Sequence, residues 1–210
     1  KRQMMETIKN YLSYVGIQYR NPDKAGDERE KMLELRHKGQ EARKAFTNLA
    51  KDFQASHPEW QLQQTSQWMN QAQRLRPHFW AYLQREGQVT EPMLALRLYG
   101  KPSDFGISLE VSFIERKKDE QTLDKQAKVL ELPVVEGIYY LVYSNGESHK
   151  VEATEENRRT LREKVRNQEI RKVLVKSDVS FIENQTLAEI LEKLEETYTR
   201  LLPYYEVTRK

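Results

Sequence analysis

Glu115 and Lys117 stand two residues apart at the end of an alternating apolar run, Ile107, Leu109, Val111 and Phe113. Residues i and i+2 of a strand share a face, so the carboxylate and the ammonium would point the same way. Such a pair can act on a phosphodiester, with Glu115 holding a metal such as Mg²⁺ and Lys117 polarising a phosphate or a water. The competing reading is a charged strand end entering solvent, because the pair belongs to the charged run Glu115-Arg116-Lys117-Lys118-Asp119-Glu120.

A second group is Asn70, Gln71, Gln73, Arg74, Arg76 and His78, bracketed by Trp68 and by Phe79-Trp80. Guanidiniums supply bidentate phosphate contacts and aromatic rings supply stacking, so this segment suits single-stranded nucleic acid or another planar anion. Equally, the large aromatics can be core anchors with the polar residues decorating a loop. A third group is Arg158, Arg159, Arg162, Lys164, Arg166, Arg171 and Lys172, set against Glu163 and Glu169. A phosphate backbone would be drawn to it. A solvated helix face with i,i+4 pairs explains the same pattern.

Other chemistries find little support. With no cysteine, thiolate metal sites, disulfides and cysteine nucleophiles are excluded. His37, His57, His78 and His149 are scattered, and none pairs at metal-ligand spacing. No Gly-x-Gly-x-x-Gly, Gly-x-x-x-x-Gly-Lys or Gly-x-Ser-x-Gly motif occurs among the 8 glycines. The net charge of +3 is mildly basic, so nucleic-acid binding would have to come from local patches. No apolar run approaches the ~18 residues of a membrane span, and nothing resembles a signal peptide. The expectation is a cytoplasmic protein without a membrane partner.

Positioning these groups requires elements that the hydropathy pattern outlines. Met5, Ile8, Leu12 and Val15 mark a first helix. Asn21-Pro22-Asp23 and Gly26 break it, and Asp27, answered by Glu30, is expected to cap the next. That helix carries the stripe Met32, Leu35, Ala42, Phe46, Leu49 and Phe53 and would span roughly 45 Å. Residues 60–77 fit either a short helix or an irregular loop pinned by aromatics. Strands follow at 78–84, 93–99 and 105–115. A turn at Lys101-Pro102-Ser103-Asp104 would set Leu98 against Ile107, Leu96 against Leu109 and Leu94 against Val111. A charged helix is expected at 119–131. A hairpin turned by Asn145-Gly146 joins 137–144 to 149–153. Tyr139, Tyr140 and Tyr143 fall on both faces of its first strand, which suggests partial cover on each side or an aromatic surface for a partner. Thr154 caps a polar helix, 172–176 form a short strand, and Thr186 with Glu189 opens a last helix that Pro203 ends.

The order helix, three strands, helix, strand over residues 27–143 resembles the core of the PD-(D/E)xK nuclease superfamily. That resemblance implies a metal on Glu115, with Lys117 catalytic and Gln126 as an auxiliary glutamine. It also asks for a second acidic ligand one strand away. The register instead puts Thr90 opposite Glu115 and Glu91 on the other face. Separately, the stretches NQAQRLRPHFW, DFGISLEVSFIERK and EGIYYLVYSNG resemble a small bacterial family labelled glucose-6-phosphate dehydrogenase-like. A dehydrogenase needs a dinucleotide site, normally a parallel sheet with a glycine-rich first turn. This chain has neither signal, so no catalytic residue is carried over.

The expected architecture is α+β, one domain over 1–210, with a helical hairpin over 1–57 packed on the sheet and helices of 78–210. The leading functional expectation is binding of an anionic ligand such as nucleic acid, through 68–80 with support from the 158–172 helix. The alternatives are a metal-dependent nuclease and a non-catalytic module for protein interaction or homo-oligomerisation.

Overall fold

A computed structural model describes residues 2–85, 87, 90–113 and 120–209. Among them lie five α-helices and one seven-stranded sheet. The strands are β1 (Gln61–Leu62), β2 (Trp80–Gln84), β3 (Met93–Lys101), β4 (Asp104–Ser112), β5 (Tyr139–Ser144), β6 (Glu147–Glu152) and β7 (Lys172–Ser180). They lie in the order β1-β2-β3-β4-β7-β5-β6, and each strand runs antiparallel to its neighbours. The fold is α+β with a mainly antiparallel sheet, as its elements led one to expect.

The β3–β4 hairpin has the expected register: Leu98 opposite Ile107, Leu96 opposite Leu109 and Leu94 opposite Val111. All six side chains are buried on one face. A slip of one residue would turn every one of them to the other side, which is why alternation specifies register so strongly. Val175 and Val179 of β7 and Tyr140 and Val142 of β5 extend the same face into the core. Asn145 and Gly146 both take positive φ, 52° and 78°, as a two-residue hairpin turn requires.

The helices are α1 (Arg2–Leu12), α2 (Arg29–Ala55), α3 (Glu120–Ala127), α4 (Glu155–Arg166) and α5 (Leu187–Thr208). The α2 stripe is buried as its spacing predicts, with Gly39 and Ala50 added to it. Asp27 does not cap α2. It lies in a 3-10 turn (Gly26–Glu28), and the residue before α2 is Glu28, whose side chain makes no capping bond. The Gly26 turn, with φ 55°, uses up the residues that a capping box would need. Thr154 and Thr186 do cap, accepting from the backbone N–H of Asn157 at 3.0 Å and of Glu189 at 3.1 Å. Pro203 does not end the last helix. It sits exposed inside α5, whose final turn buries Tyr204, Tyr205 and Thr208. That burial outweighs the hydrogen bond that proline cannot donate.

The strand expected at 172–176 runs to Ser180 and lies between β4 and β5. Its polar second half is satisfied by tertiary partners. Ser177 Oγ donates to the Gly137 carbonyl at 2.7 Å, and Asp178 accepts from the Tyr139 hydroxyl at 2.7 Å.

Candidate functional site

The sheet has two unlike faces. Its core face supplies the hydrophobic cluster shared with α1, α2, α4 and α5. Trp80, Met93, Ala95 and Leu174 on the second face do not belong to that cluster. Side chains alternate along a strand, so the pairing places Trp80, Tyr82, Arg97, Tyr99, Ser108, Glu110, Lys176, Asp178, Tyr139 and Tyr143 together on this second face. Trp80, Tyr82, Tyr99, Tyr139 and Tyr143 are half-buried there, so the face presents aromatic rings to solvent.

One row of partners across the strands reads Tyr82, Ala95, Glu110, Lys176, Tyr139. Its centre is charged. The Glu110 carboxylate is 2% exposed and accepts from Arg97 Nε and Nη2 at 3.2 and 2.9 Å, while Lys176 Nζ lies 3.2 Å from its second oxygen. Burial pushes the Glu110 carboxyl up, but Lys176 and Arg97 outweigh it and hold it below the usual range. The next row reads Trp80, Arg97, Ser108, Asp178. The guanidinium carbons of Arg76 and Arg97 lie 4.8 and 5.3 Å from the Trp80 ring centroid, within cation–π range. Lys150 and Lys172 stand 4.3 and 4.9 Å from the Tyr139 and Tyr143 rings. His78 packs 5.5 Å from Trp80. Burial, then the charges of Arg97, Lys176 and Arg76, hold it down at about 4, so it is neutral at physiological pH. Burial also pushes the Tyr139 hydroxyl up, and it raises Asp178 despite the bond between the two.

Cations beside aromatic rings on one sheet face can stack planar groups and pair with anions at once. The face gathers Arg76, His78 and Trp80 from the second predicted group. The rest of that group lies elsewhere. Trp68 is a core anchor, edge-on to Tyr19 at 5.0 Å. Asn70 and Arg74 close a turn: Asn70 N–H donates to the Arg74 carbonyl and Arg74 N–H to Asn70 Oδ1, both at 2.9 Å. Arg74 Nη1 also donates to the Gly16 carbonyl at 3.0 Å, and the Gln73 carbonyl accepts from Tyr19 at 2.7 Å. Gln71 is exposed on that turn. Residues 60–77 are thus the irregular, aromatic-pinned alternative, with β1 as their only strand. Arg43 of α2 secures them by donating to the carbonyls of Ser66 and Thr65.

The basic helix is on the other side of the sheet. Leu161 of α4 belongs to the core cluster, so α4 packs on the core face near β5 and β6. Arg158 is engaged by Glu155 at 2.7 Å and by the Leu130 carbonyl at 2.8 Å, while Arg159 and Arg162 are exposed. The sheet therefore separates these arginines from Trp80. Glu115 and Lys117 lie outside the described residues. Gln126 is buried and donates to the Val111 carbonyl at 3.4 Å. Among the described residues, no three His, Asp or Glu side chains group to hold a metal, and no helix is long and apolar enough to cross a membrane.

Sequence reasoning missed Arg97, Glu110 and Lys176. Arg97 and Glu110 are charges flanked by apolar residues within their strands, and that was the available signal, whereas Lys176 stood at the end of the strand expected at 172–176. A lone charge on a strand otherwise reading as core marks the second face. No protein-family model matches the chain, and no curated protein matches it in sequence.

Proposed function

We propose that the protein binds single-stranded nucleic acid on the second face of its sheet, with Trp80 as the principal stacking ring. The observation that carries this reading is the half-buried Trp80 ring outside the core, with the guanidiniums of Arg76 and Arg97 at 4.8 and 5.3 Å from its centroid. A base stacked on such a ring contributes ~1–3 kcal/mol. Arg76 and Lys150 then meet phosphates, and Tyr139 and Tyr143 offer further rings across the four strand steps from β2 to β5, a distance of about 19 Å. The exposed turn at Gln71 and the α4 arginines are not needed.

The test is titration of labelled single-stranded DNA and RNA at low and moderate salt. Binding should fall steeply as salt rises, and Trp80→Ala should weaken it by roughly 5- to 150-fold, the equivalent of the stacking energy. A wild-type protein that binds neither strand at low salt, or a Trp80→Ala variant with full affinity, rejects the reading.

A further inference from the structure

Glu110 is the most deeply buried charge described on the second sheet face, and it is flanked by two cations on neighbouring strands. Three charges set into one sheet face are no better for stability than well-packed apolar residues of the same volume. Stability is therefore a poor account of them. The geometry offers a better one. Arg97 directs Nε and Nη2 at a single Glu110 oxygen, which uses two of its five N–H donors. The guanidinium is held beside Trp80, where its side chain keeps 24% of its surface exposed. Lys176 is held by the second oxygen, in the same row as Tyr139. A flexible arginine is thereby ordered before any ligand arrives, which lowers the entropy cost of binding.

We infer that Glu110 is a positioning residue for ligand binding: with the buried Lys176 neutralising its second oxygen, it fixes Arg97 beside Trp80 and so pre-sets the cation that meets an anionic, ring-bearing ligand. The inference rests on the nucleic-acid reading of this face. It has a sign that sets it apart from simple electrostatics. Glu110→Gln keeps the side-chain volume and raises the net charge by one. Non-specific attraction alone would then strengthen binding to a polyanion. Loss of positioning weakens it.

The experiment compares wild type, Glu110→Gln and Arg97→Lys for binding to a labelled oligothymidylate, beside acrylamide quenching of tryptophan fluorescence without ligand. Trp60 and Trp68 are buried, so quenching reports mainly on Trp80. Glu110→Gln should bind about tenfold more weakly and show increased quenching, because Arg97 leaves the ring. Arg97→Lys keeps the charge and the pair with Glu110 but loses the planar fork. It should weaken binding in the same way, and it decides the matter if Glu110→Gln does not fold. Unchanged or tighter binding by a folded Glu110→Gln, or full affinity in Arg97→Lys, overturns the inference. If wild type does not bind the oligonucleotide, the nucleic-acid reading falls and takes the ligand role with it. Increased quenching in Glu110→Gln would still uphold the positioning of Arg97, and unchanged quenching would reject that as well.

Discussion

At the scale of single residues, environment overrides type. His78 lies in a sequence of amides and guanidiniums that suggests a charged contact, yet burial and three nearby cations keep it neutral down to about pH 4. Its folded value lies below the ordinary 6.5, so the unfolded chain binds the extra proton first. The stability it contributes is therefore full above pH 6.5 and is lost as pH falls toward 4. His78→Gln is expected to flatten the fall in urea midpoint across that window; an unchanged pH profile would contradict the account. Gly39 is a second case. A glycine inside a long helix costs about 1 kcal/mol relative to alanine. Here a Cβ would come within 2.5 Å of Trp68 Cδ2. Overpacking of ~1–3 kcal/mol then offsets the propensity gain. Gly39→Ala should be destabilised by about 1 kcal/mol in urea unfolding, although the same change stabilises most exposed helices.

At the scale of elements, local signals were legible where the chain's own neighbours decide. The β3–β4 register followed from alternation and turn length. The Asn145-Gly146 hairpin and the Thr154 and Thr186 caps followed from side chains acting within three residues. Thr154→Ala should cost about 1 kcal/mol by chemical denaturation. Local rules gave way where distant packing was larger. Pro203 reads as a stop, but Tyr204 and Tyr205 are fully buried beyond it, with Tyr205 against Trp60 at 4.7 Å and the Tyr204 hydroxyl on the Pro133 carbonyl at 2.8 Å. Because Pro203 removes a donor and its ring crowds the carbonyl one turn back, Pro203→Ala is expected to raise stability by ~2 kcal/mol, the helix penalty less the unfolded-state entropy gained. A lower melting temperature would show that the ring itself is needed.

At the scale of the molecule, the sheet sorts the basic residues into two populations. Arg159 and Arg162 ride on α4 on the core side, while Arg76, Arg97, Lys150, Lys172 and Lys176 lie on or around the second face. At physiological salt, charges separated by more than about 8 Å are largely screened. Joint replacement of Arg159 and Arg162 by glutamine should therefore change oligonucleotide affinity much less than joint replacement of Arg76 and Lys150. Equal losses from the two pairs would return the binding surface to α4.

The amino-acid sequence by itself determined most of the secondary elements and the facing of their apolar side chains, though not the course of residues 60–77 or the ends of β7 and α5. Alternation, helical spacing, turn residues and caps act between residues close in the chain, and their energies do not depend on what lies across the molecule. Tertiary structure decided the rest. Only the insertion of β7 between β4 and β5 brings Lys176 beside Glu110 and Asp178 beside Tyr139. Only the packing of α1 and α2 over residues 63–76 buries Trp68 while Trp80 stays half-buried, through contacts such as the Tyr11 hydroxyl at 2.8 and 2.7 Å from the carbonyls of Trp68 and Arg76. Strand order carries no local signature, because any apolar strand can pair at either edge. The composition of the second face, and with it the candidate site, is set by which long-range pairing buries the most apolar surface.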